Sequence, residues 1–404
     1  MNAAIGVADS PPTRLLLGPG PSLVHQRVLQ ALGMPLVGHL DPVFLSIMDE
    51  IQQLLRDTFR TSNPLTFAVS GTGTAGMETA VANVIEPGDT AVVGINGAFG
   101  ARLAAMVERC GGRVLGVEVP WGSLIGLDAL RETLSKARRV KVVALVHAET
   151  STGASQPLDG LSGLCRQHDA LLLVDAVTSL AGMPLEVDAW GIDICFSATQ
   201  KCLSCPPGLA PITVSPRALE VIRRRRTPCQ SWYLDLMLAA DYWTEGNRVY
   251  HHTAPISMLY ALREALRLVH EEGLSARFAR HRANSNALAS GLFELGLLPV
   301  PDEGHRLPML SCVRLPSHIE DRPTRAALLQ EHGIEIGGGL GPLKGKVWRI
   351  GFMGESSQQA HVLTFLNALE DVFARSGWLL NPGIAVQTAV QAFRTPQESI
   401  RSPA

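Results

Sequence analysis

The sequence predicts an α/β fold: a large domain with a mostly parallel β-sheet covered by helices on both faces, and a smaller C-terminal α+β domain. Short apolar runs alternate with segments of helical period through the first two thirds of the chain, as in buried parallel strands joined by helical crossovers. Past about residue 257, long amphipathic helices with fewer strand candidates follow. The 404 residues are 46% hydrophobic and 18% charged, which is typical of a globular chain with a sizeable core.

The first long helix is predicted to begin at Asp41-Pro42, a combination that commonly starts helices. Its apolar residues recur with helical spacing and form one stripe: Phe44, Ile47, Met48, Ile51, Leu54 and Leu55. Strands are predicted after it in six β-rich runs, most of them separated by helical stretches: "LTFAV", "TAVVGIN", "VLGVEV", "KVVALVHAE", "ALLLVDAV" and "IDICFSA".

The second part of the chain is predicted to begin with two helices, "ISMLYALREALRLVHEEG" and "SARFARHRANSNALASGLFELG". Two strand candidates follow, "MLSCVRLP" and "KVWRIGFMG", with helices between and after them. We divide the chain into an N-terminal arm (1–14), a large domain (15–270), a small domain (271–380) and a tail (381–404). The tail is rich in Pro, Gln, Ser and Thr, so we expect it to pack loosely or not at all.

Charge and composition argue against several classes of partner. The net charge of -2 gives no reason to expect nucleic acid or an anionic membrane as the main partner. No run approaches the roughly 18 apolar residues of a membrane span, and the N-terminal segment lacks the apolar core of a signal peptide. Seven scattered cysteines, an odd number, suggest reduced thiols, so we expect a cytoplasmic protein.

The pair Cys202-x-x-Cys205 has the spacing of a redox or metal motif. A zinc site would need a second ligand pair, and none is apparent in the sequence. The prolines that directly follow the pair favour a structural role, and we expect no metal.

A glycine-rich turn, Gly71 to Gly76, follows the first predicted strand and precedes a helix. It fits the G-x-G-x-x-G pattern of dinucleotide-binding proteins, but the next strand ends in Asn96-Gly97, where that motif needs an acidic residue. A helix start with exposed N–H groups still favours an anion. We therefore expect a phosphate cradle here; the alternative is a tight turn with capping threonines.

Asp175 and Lys201 each follow a predicted strand, at the edge of the sheet where α/β proteins bind ligands. The aspartate could instead cap the next helix. A lysine buried at this edge would have a lowered pKa and become a nucleophile towards an aldehyde. A phosphate cradle, an aspartate and a reactive lysine together match the requirements of pyridoxal 5′-phosphate (PLP).

The chain resembles the class V, fold-type I PLP-dependent aminotransferases, and most of all the alanine–glyoxylate and serine–glyoxylate enzymes. The resemblance extends from Leu15 to about Leu380 and implies a seven-stranded sheet in the large domain. It rests on ordered stretches along the whole of this span: "LLLGPGPS", "GHLDP", "NPLTFAVSGTG", "EPGD", "INGAFGAR", "HAETSTG", "LLLVDAVTSLAG", "GIDICFSATQKCLSCPPG", "YHHTAP" and "GKVWRIGFMG".

The resemblance implies a role for each residue around the cofactor. Lys201 resembles the lysine that forms the Schiff base and shuttles the proton, and Asp175 resembles the acid that keeps the pyridine nitrogen protonated. Thr72, Gly73 and Thr74 match the phosphate loop, although related enzymes often have histidine where Thr74 stands.

Four further cofactor contacts are implied in the same way. Phe99 matches the aromatic residue stacked on the cofactor ring, a place often held by tryptophan. Thr150 matches a hydroxyl residue beside the cofactor, and Val177 is expected on the ring face opposite the aromatic. Gln200 matches the residue before the lysine that bonds to the phosphate.

Tyr250 and Thr253 match residues that reach the phosphate from the other subunit. The resemblance therefore implies a homodimer with shared active sites. The alternative for "YHHT" is metal binding by its adjacent histidines, but neighbouring side chains on a strand point to opposite faces.

The substrate contacts are also implied by the resemblance. Arg349 matches the arginine that binds the substrate α-carboxylate, a group that a guanidinium can bind through two parallel hydrogen bonds; read alone, it could be part of a structural ion pair. Gly18, Pro19 and Gly20 match a loop that lines a small side-chain pocket.

We therefore predict PLP-dependent transamination of a small amino acid, alanine first and serine second, with glyoxylate as acceptor, which gives glycine and a 2-oxo acid. A ureidoglycine–glyoxylate aminotransferase is an alternative within the family. A desulfurase or lyase is another, but Cys312 lies in a predicted strand and not in a mobile loop. Outside the family, the alternatives are an NAD-dependent dehydrogenase and, last, a non-catalytic binding protein.

Overall fold

The computed structural model describes residues 11–244, 248–378 and 381–394. Residues 1–10 of the predicted arm and 395–404 of the predicted tail lie outside the described residues. Within the described ranges, no helix combines the length and the apolar character that crossing a bilayer requires.

Strands occur along most of the described chain. In chain order they are β1 (Leu15–Leu16), β2 (Leu65–Ser70), β3 (Thr90–Ile95), β4 (Arg113–Glu118), β5 (Val142–Val146), β6 (Ala148–Glu149), β7 (Ala154–Ser155), β8 (Leu171–Asp175), β9 (Ile194–Phe196), β10 (Leu209–Val214), β11 (Leu298–Pro299), β12 (Leu310–Arg314), β13 (Ile334–Glu335), β14 (Gly337–Gly338) and β15 (Val347–Gly351).

Helices connect and cover these strands. In chain order they are α1 (Gln26–Leu32), α2 (Pro42–Phe59), α3 (Gly73–Val84), α4 (Ala98–Arg109), α5 (Leu127–Lys136), α6 (Leu161–Gln167), α7 (Pro216–Arg223), α8 (Leu236–Trp243), α9 (Ile256–Glu272), α10 (Leu274–Glu294), α11 (Asp321–Glu331), α12 (Gln359–Arg375) and α13 (Ile384–Arg394).

The central sheet has seven strands in the order β2-β10-β9-β8-β5-β3-β4. Neighbouring strands are parallel, except that β10 is antiparallel to both β2 and β9. Every residue of β5, β8, β9 and β10 is buried, because helices flank the sheet. The predicted seven-stranded, mostly parallel sheet is confirmed.

The sequence did not predict strand β10. Its run contains Pro211 and follows Pro206-Pro207, and a proline within a run argues against a central strand because it has no N–H for the ladder. In the structure, the Pro211 carbonyl accepts a hydrogen bond of 2.7 Å from the N–H of Ser197, just past the end of β9. The N–H that Pro211 lacks would therefore lie beyond the end of β9, where it has no ladder hydrogen bond to make.

The strand register brings three strand ends to one edge of the sheet. Val146 at the end of β5 pairs with Asp175 at the end of β8, and Asp175 pairs with Phe196 at the end of β9. The segments that follow these strands therefore meet at the carboxyl edge, where open α/β sheets bind ligands.

Helix α2 forms as its periodicity predicts. The Asp41 carboxylate accepts a hydrogen bond of 2.8 Å from the N–H of Val43, and Pro42 occupies the first helical position, where its missing N–H has no cost. The predicted apolar stripe is buried, apart from the half-buried Leu54.

The C-terminal part has its own four-stranded antiparallel sheet, in the order β11-β12-β15-β14. Helices α10, α12 and α13 pack beside it around a second apolar cluster that includes Trp348 and Phe365. Helix α9 instead packs into the apolar cluster around the central sheet, and Gly273, with φ +81°, separates α9 from α10. These separate clusters support the proposed division near residue 270.

The start of the predicted large domain packs differently from the expectation. Residues 15–17, assigned to the large domain, pack with the small one: Leu15 pairs with Ile334, and Leu17 is buried in the second cluster. This path leads the chain from the small domain into the turn Gly18–Gly20.

The expected loose packing of the tail does not hold for residues 381–394. Helix α13 buries Ala385 and Ala389, and the Glu370 carboxylate accepts hydrogen bonds from the N–H groups of Gly383 (3.1 Å) and Ala385 (2.6 Å). The apolar spacing of "IAVQTAVQAF" gave this signal, but the polar composition around it masked the helix.

Candidate active site

Lys201 follows β9 and lies at the carboxyl edge of the central sheet. It is only 9% exposed, and its Nζ donates a hydrogen bond to the carbonyl of Pro19. Burial lowers the pKa of this amine from 10.5 to about 8; nearby Arg349 lowers it further, while Asp175 raises it. Lys201 is therefore held inward with an amine that loses its proton near neutral pH.

The backbone around Lys201 is fixed by two other side chains. The Ser22 hydroxyl donates to the Lys201 carbonyl at 2.8 Å. Buried Arg277, from α10, donates to the carbonyls of Cys202 (2.5 Å) and Ala181 (3.1 Å). Through Arg277, the small domain thus holds both the backbone next to Lys201 and the segment that follows Asp175.

The turn Gly18–Gly20 is wedged between Lys201 and the small-domain sheet. Gly20 has φ +105°, and a Cβ there would lie 2.8 Å from the Lys201 Nζ. On the other side, a Cβ on Gly337 would lie 2.5 Å from Cδ of Pro19. Only bare backbone allows the turn to approach the lysine so closely.

Asp175 is 2% exposed and ends β8. Burial raises the pKa of its carboxyl from 3.8 to about 7, although the N–H of Val177 donates to it at 2.8 Å. Lys201 and Arg102 lower this pKa, and buried Glu149 raises it. The bond to Val177 is local, yet the carboxylate is not the N-cap of any helix in the described chain.

The glycine turn opens helix α3 beside this pair. Gly73 is buried, and a Cβ there would lie 2.7 Å from the Cβ of Ala198 and 3.4 Å from Val177. Thr72 is the N-cap residue and is exposed, and its side chain makes no capping bond. The first N–H groups of α3 therefore donate no hydrogen bond to the side chain of the N-cap residue.

Gln200 lies next to Lys201, and its buried Oε1 has no hydrogen-bond partner within the described residues. Exposed Thr74 accepts a hydrogen bond of 3.2 Å from the guanidinium of Arg102. The guanidinium also lies over the Phe99 ring, 4.9 Å from its centroid. Phe99, half-buried on the first turn of α4, is therefore close to the glycine turn.

Arg349 lies in β15, is 8% exposed and faces the loop that follows β6. Its Nε donates to the carbonyl of Gly338 at 2.8 Å, and its Nη1 to that of Thr150 at 3.4 Å. Burial lowers the pKa of the guanidinium. No carboxylate of the described residues lies within 4 Å of it, so its charge has neutral partners only.

Tyr250 and Thr253 are exposed, unlike Lys201, Asp175 and Arg349. Tyr250 is 53% exposed, Thr253 is exposed, and their hydroxyls are 3.3 Å apart. The Tyr250 ring lies 5.0 Å from the ring of His39. Within this one chain, both face solvent.

The two histidines of "YHHT" contact each other. His251 and His252 bond to each other through Nδ1 at 2.9 Å, and burial lowers the pKa of His252 to about 4. No group of three or more potential metal ligands occurs in the described ranges. Cys202 and Cys205 are both buried free thiols.

Sequence reasoning missed Glu149 and Arg102. Glu149 is fully buried and accepts hydrogen bonds from the N–H groups of Phe99 (3.0 Å) and Ser151 (3.0 Å). A signal existed for each residue. Glu149 is an acid directly after an apolar strand, as Asp175 is, and Arg102 follows Phe99 at the i, i+3 spacing of neighbours on a helix.

Comparisons with known proteins show which family the chain is similar to. The family model "Aminotransferase class-V" matches residues 16–353. The chain is similar to the solved alanine–glyoxylate aminotransferase from Nostoc sp., with 52% identity and a TM-score of 0.88 over 90% of this chain and 96% of that one. It is also similar to the ureidoglycine–glyoxylate aminotransferase from Bacillus subtilis, with 42% identity and a TM-score of 0.93 over 96% and 99%. The alanine–glyoxylate aminotransferase of Callithrix jacchus is 43% identical over 363 residues, 89% of this chain and 87% of that protein.

Proposed function

The chain belongs to the class V aminotransferase family, and we propose that it transfers the amino group of a small amino acid, alanine first and serine second, to glyoxylate. As a member of this family it is an aminotransferase that uses PLP and acts on an amino acid and a 2-oxo acid. The family resemblance stated from the sequence is confirmed. The dehydrogenase and the non-catalytic binding protein are set aside.

The observation behind the proposal is the contact between Lys201 and the turn Gly18–Gly20. The lysine amine bonds to the Pro19 carbonyl, and Gly20 leaves no room for even a Cβ beside it. The substrate side chain must lie close to this amine when its Cα is within reach of it. A methyl or hydroxymethyl group fits such a space better than a long side chain.

The residues present fit PLP. The buried amine of Lys201 suits its aldehyde, the buried carboxyl of Asp175 suits its ring nitrogen, and the uncapped start of α3 suits its phosphate. The buried amide oxygen of Gln200, which has no partner in the described chain, belongs to the residue next to Lys201. We assign Thr72, Gly73, Thr74, Phe99, Thr150 and Val177 to the same cofactor site.

PLP, when bound, supplies the electron sink that lets the bond between the substrate Cα and its hydrogen break. With PLP bound, Lys201 Nζ would be the group that takes and returns that proton, and its lowered pKa lets the amine act as a base near neutral pH. Asp175 would hold the protonated ring nitrogen, because a buried carboxylate gains most from a cationic partner. The Pro19 carbonyl orients the amine.

Arg349 binds the substrate α-carboxylate. Its guanidinium is buried, has only carbonyl partners, and lies near enough to Lys201 to lower the pKa of that amine. A buried cation without an anion is costly, and a substrate carboxylate would relieve that cost through paired hydrogen bonds.

Long acidic donors are less favoured. They would need a second arginine for the distal carboxylate, and the candidate near the site is Arg102. This guanidinium lies over Phe99 and bonds to Thr74, at the glycine turn and away from the Arg349 side. Aspartate and glutamate are therefore expected to be poor substrates.

Ureidoglycine is the second candidate donor, because the Bacillus subtilis structure with that activity in its name is 42% identical to this chain. The Nostoc structure named for alanine and glyoxylate is 52% identical, which supports alanine as the first choice. A desulfurase is disfavoured: Cys312 is buried in β12, and burial raises the pKa of its thiol to about 12, so it holds little nucleophilic thiolate.

We also propose a homodimer in which Tyr250 and Thr253 complete the phosphate site of the partner subunit. Both are exposed, and large apolar side chains are exposed on nearby segments, such as Val249, Trp232 and Leu36. Exposed apolar surface of this kind favours a protein interface. All seven cysteines are free, which supports the proposal of a reducing, cytoplasmic setting.

A half-reaction panel tests the substrate proposal. Alanine, serine, ureidoglycine and aspartate are mixed one at a time with the holoprotein, without any 2-oxo acid, and loss of the visible band of the bound cofactor is followed by stopped flow. We expect alanine to react fastest, serine next and aspartate slowest. Glyoxylate, added afterwards, should restore the band and yield glycine.

A faster reaction with ureidoglycine than with alanine would assign the chain to the alternative activity. A fast reaction with aspartate would contradict the small pocket. D-alanine, which cannot present the same carboxylate and Cα–H geometry to Arg349 and Lys201, serves as the control for non-specific loss of the band.

A further inference from the structure

The site contains a second buried carboxylate that the proposed chemistry does not use. Glu149 is completely buried at the end of β6. No Lys, Arg or His nitrogen of the described residues lies within 4 Å of its carboxylate. Burial raises its pKa, and only neutral donors from Phe99, Gly100 and Ser151 offset that cost. A neutral side chain would be less costly to bury here, so the acid needs an explanation.

Each oxygen of the Glu149 carboxylate holds a different element. Oε2 accepts from the N–H groups of Phe99 (3.0 Å) and Gly100 (3.3 Å), in the first turn of α4. Oε1 accepts from the N–H (3.0 Å) and the hydroxyl (2.5 Å) of Ser151. The carboxylate therefore joins the start of α4 to the loop after β6, across about 50 residues of chain.

This contact replaces a local helix cap. The N-cap residue of α4 is Gly97, which has no side chain to accept the first N–H groups. Glu149 accepts two of them, and the Ser151 hydroxyl accepts the third, from Ala98, at 2.9 Å. A Cβ on Gly97 would lie 2.5 Å from the Ser151 hydroxyl and would collide with Glu149, so glycine is required for the approach.

The loop side of the contact reaches the arginine. Thr150 lies between Glu149 and Ser151, and its carbonyl accepts the hydrogen bond of 3.4 Å from Arg349. The same turn is closed by the Glu149 carbonyl, which accepts from the N–H groups of Thr152 (3.2 Å) and Gly153 (2.8 Å). The direction of the Thr150 carbonyl therefore depends on how Glu149 is held.

We propose that Glu149 is a positioning residue that fixes two walls of the site at once, the Phe99 ring through the start of α4 and the Arg349 guanidinium through the Thr150 carbonyl. It acts through these residues, and the inference rests on the roles proposed for them above. An acid suits this place because a carboxylate accepts four hydrogen bonds and donates none, whereas an amide would turn an NH₂ group towards backbone N–H donors.

A double-mutant cycle separates positioning from a purely structural role. The dissociation constant of PLP is measured by titrating the apoprotein and following the visible circular dichroism of the bound cofactor, for the wild type, Glu149→Gln, Phe99→Leu and the double variant. We expect Glu149→Gln to raise this constant about tenfold when Phe99 is present and about twofold or less in the Phe99→Leu background. Equal factors in both backgrounds would overturn the proposal.

Two further variants keep the outcome decisive. Ser151→Ala removes one donor to Glu149, and it takes the place of Glu149→Gln in the cycle if that variant fails to fold. It should raise the dissociation constant of PLP by a smaller factor, about threefold, and show the same dependence on Phe99. Glu108→Gln, an exposed acid on the same helix, is the matched control and should leave the constant unchanged. The KM for alanine should rise in Glu149→Gln by a larger factor than kcat falls, because Arg349 loses its orientation; a fall in kcat alone would contradict this.

The PLP titration contains no amino acid, so a wrong choice of donor in the half-reaction panel leaves it unaffected. If Phe99→Leu alone leaves the dissociation constant unchanged, the role proposed for Phe99 fails and the positioning proposal fails with it.

Discussion

The two ends of the candidate site differ in how much of them one chain builds. At the end where the proton is moved, Lys201, Asp175 and Arg349 are buried and each has its partners within the same chain. At the phosphate end, Tyr250 and Thr253 are exposed and bond only to each other through their side-chain hydroxyls. Within one chain, the residues proposed for the first end are buried, and Tyr250 and Thr253, proposed for the second end, are exposed.

This difference follows from what each end must do. Proton transfer needs groups with shifted pKa values, and the largest shifts here are produced by burial, which a single folded chain supplies. Holding a phosphate needs hydroxyl and N–H donors, which remain effective donors on an exposed surface, and in the proposed homodimer a second subunit would cover that surface. Substitutions at the buried end should therefore change chemistry, and those at the open end should change assembly and cofactor affinity.

Lys201→Ala should have the largest effect. Removing the amine takes away both the attachment point for PLP and the base, so turnover of alanine with glyoxylate should fall at least about 10⁴-fold. Borohydride reduction followed by peptide mass analysis should find PLP on residue 201 of the wild type and nowhere in the variant. Lys346→Ala, which removes an exposed lysine, is the control; covalent PLP on another lysine of an active Lys201→Ala variant would refute the assignment.

Asp175→Asn should reduce kcat about 10²- to 10³-fold while stabilising the apoprotein. The folded pKa of Asp175 is raised to about 7 from 3.8, so the stability it contributes is present below pH 4 and is lost as the pH rises through 7. The loss is on the order of 4 kcal/mol at most, given about 1.4 kcal/mol per pKa unit. Urea unfolding of both apoproteins at pH 5 and pH 8 should show the variant gaining stability relative to the wild type at pH 8.

Asp159→Asn, at an exposed loop position, is the control for the aspartate series and should change neither kcat nor the pH dependence of unfolding. A wild-type apoprotein and an Asp175→Asn apoprotein whose stabilities change in parallel between pH 5 and pH 8 would show that the carboxyl is not desolvated.

Arg349→Lys should act mainly on binding. Lysine keeps the charge but cannot form two parallel hydrogen bonds to a carboxylate, so the KM values for alanine and for glyoxylate should both rise, by about 30- to 100-fold. Steady-state kinetics with each substrate varied in turn give the two values. Arg306→Lys, an exposed position in the same domain, should leave them unchanged; unchanged KM values in Arg349→Lys would remove the arginine from the substrate site.

The sequence predicted the fold well where a pattern is local. The apolar runs of the parallel strands and the capped stripe of α2 are visible in short windows, and the structure confirms them. Strand β10 was missed because Pro211 argues against a central strand. Only the folded chain shows that Pro211 lies beyond the end of β9. Helix α13 was missed because polar neighbours masked a short apolar period.

The candidate site was predictable to a similar degree. Lys201 and Asp175 end apolar runs, and a charged residue at the end of an apolar run suggests a functional role because burying a charge is costly. Arg349 was assigned only through the family resemblance. Glu149 escaped both routes because its partners, Phe99 and Gly100, lie in a helix about 50 residues earlier, and only the folded chain brings them together.

The smallest effect is expected at the open end, where Tyr250→Ala should weaken PLP binding about fivefold to tenfold, as the loss of one hydroxyl contact to a charged group predicts. The stronger test is complementation between subunits. If Tyr250 serves the partner's site, a hybrid dimer of Lys201→Ala and Tyr250→Ala subunits contains one site with both Lys201 and Tyr250 intact. At a PLP concentration close to the dissociation constant of the wild type, the Tyr250→Ala parent is less active than the wild type. An equal mixture that reassorts freely should then exceed the average of the two parents by about a quarter of the difference between the wild type and that parent, because half of the dimers are hybrids and half of their sites are intact.

The same experiment decides which chain supplies the tyrosine. If Tyr250 served the site of its own chain, every site of the hybrid would lack either Lys201 or Tyr250, and the mixture would be no more active than the average of the two parents. Each parent alone, passed through the same reassortment, is the control for recovery, and Phe293→Ser, which alters an exposed apolar residue of the small domain, should neither prevent assembly nor change the outcome. Activity above the average of the two parents therefore requires that the exposed hydroxyl of one subunit reach the buried lysine site of the other.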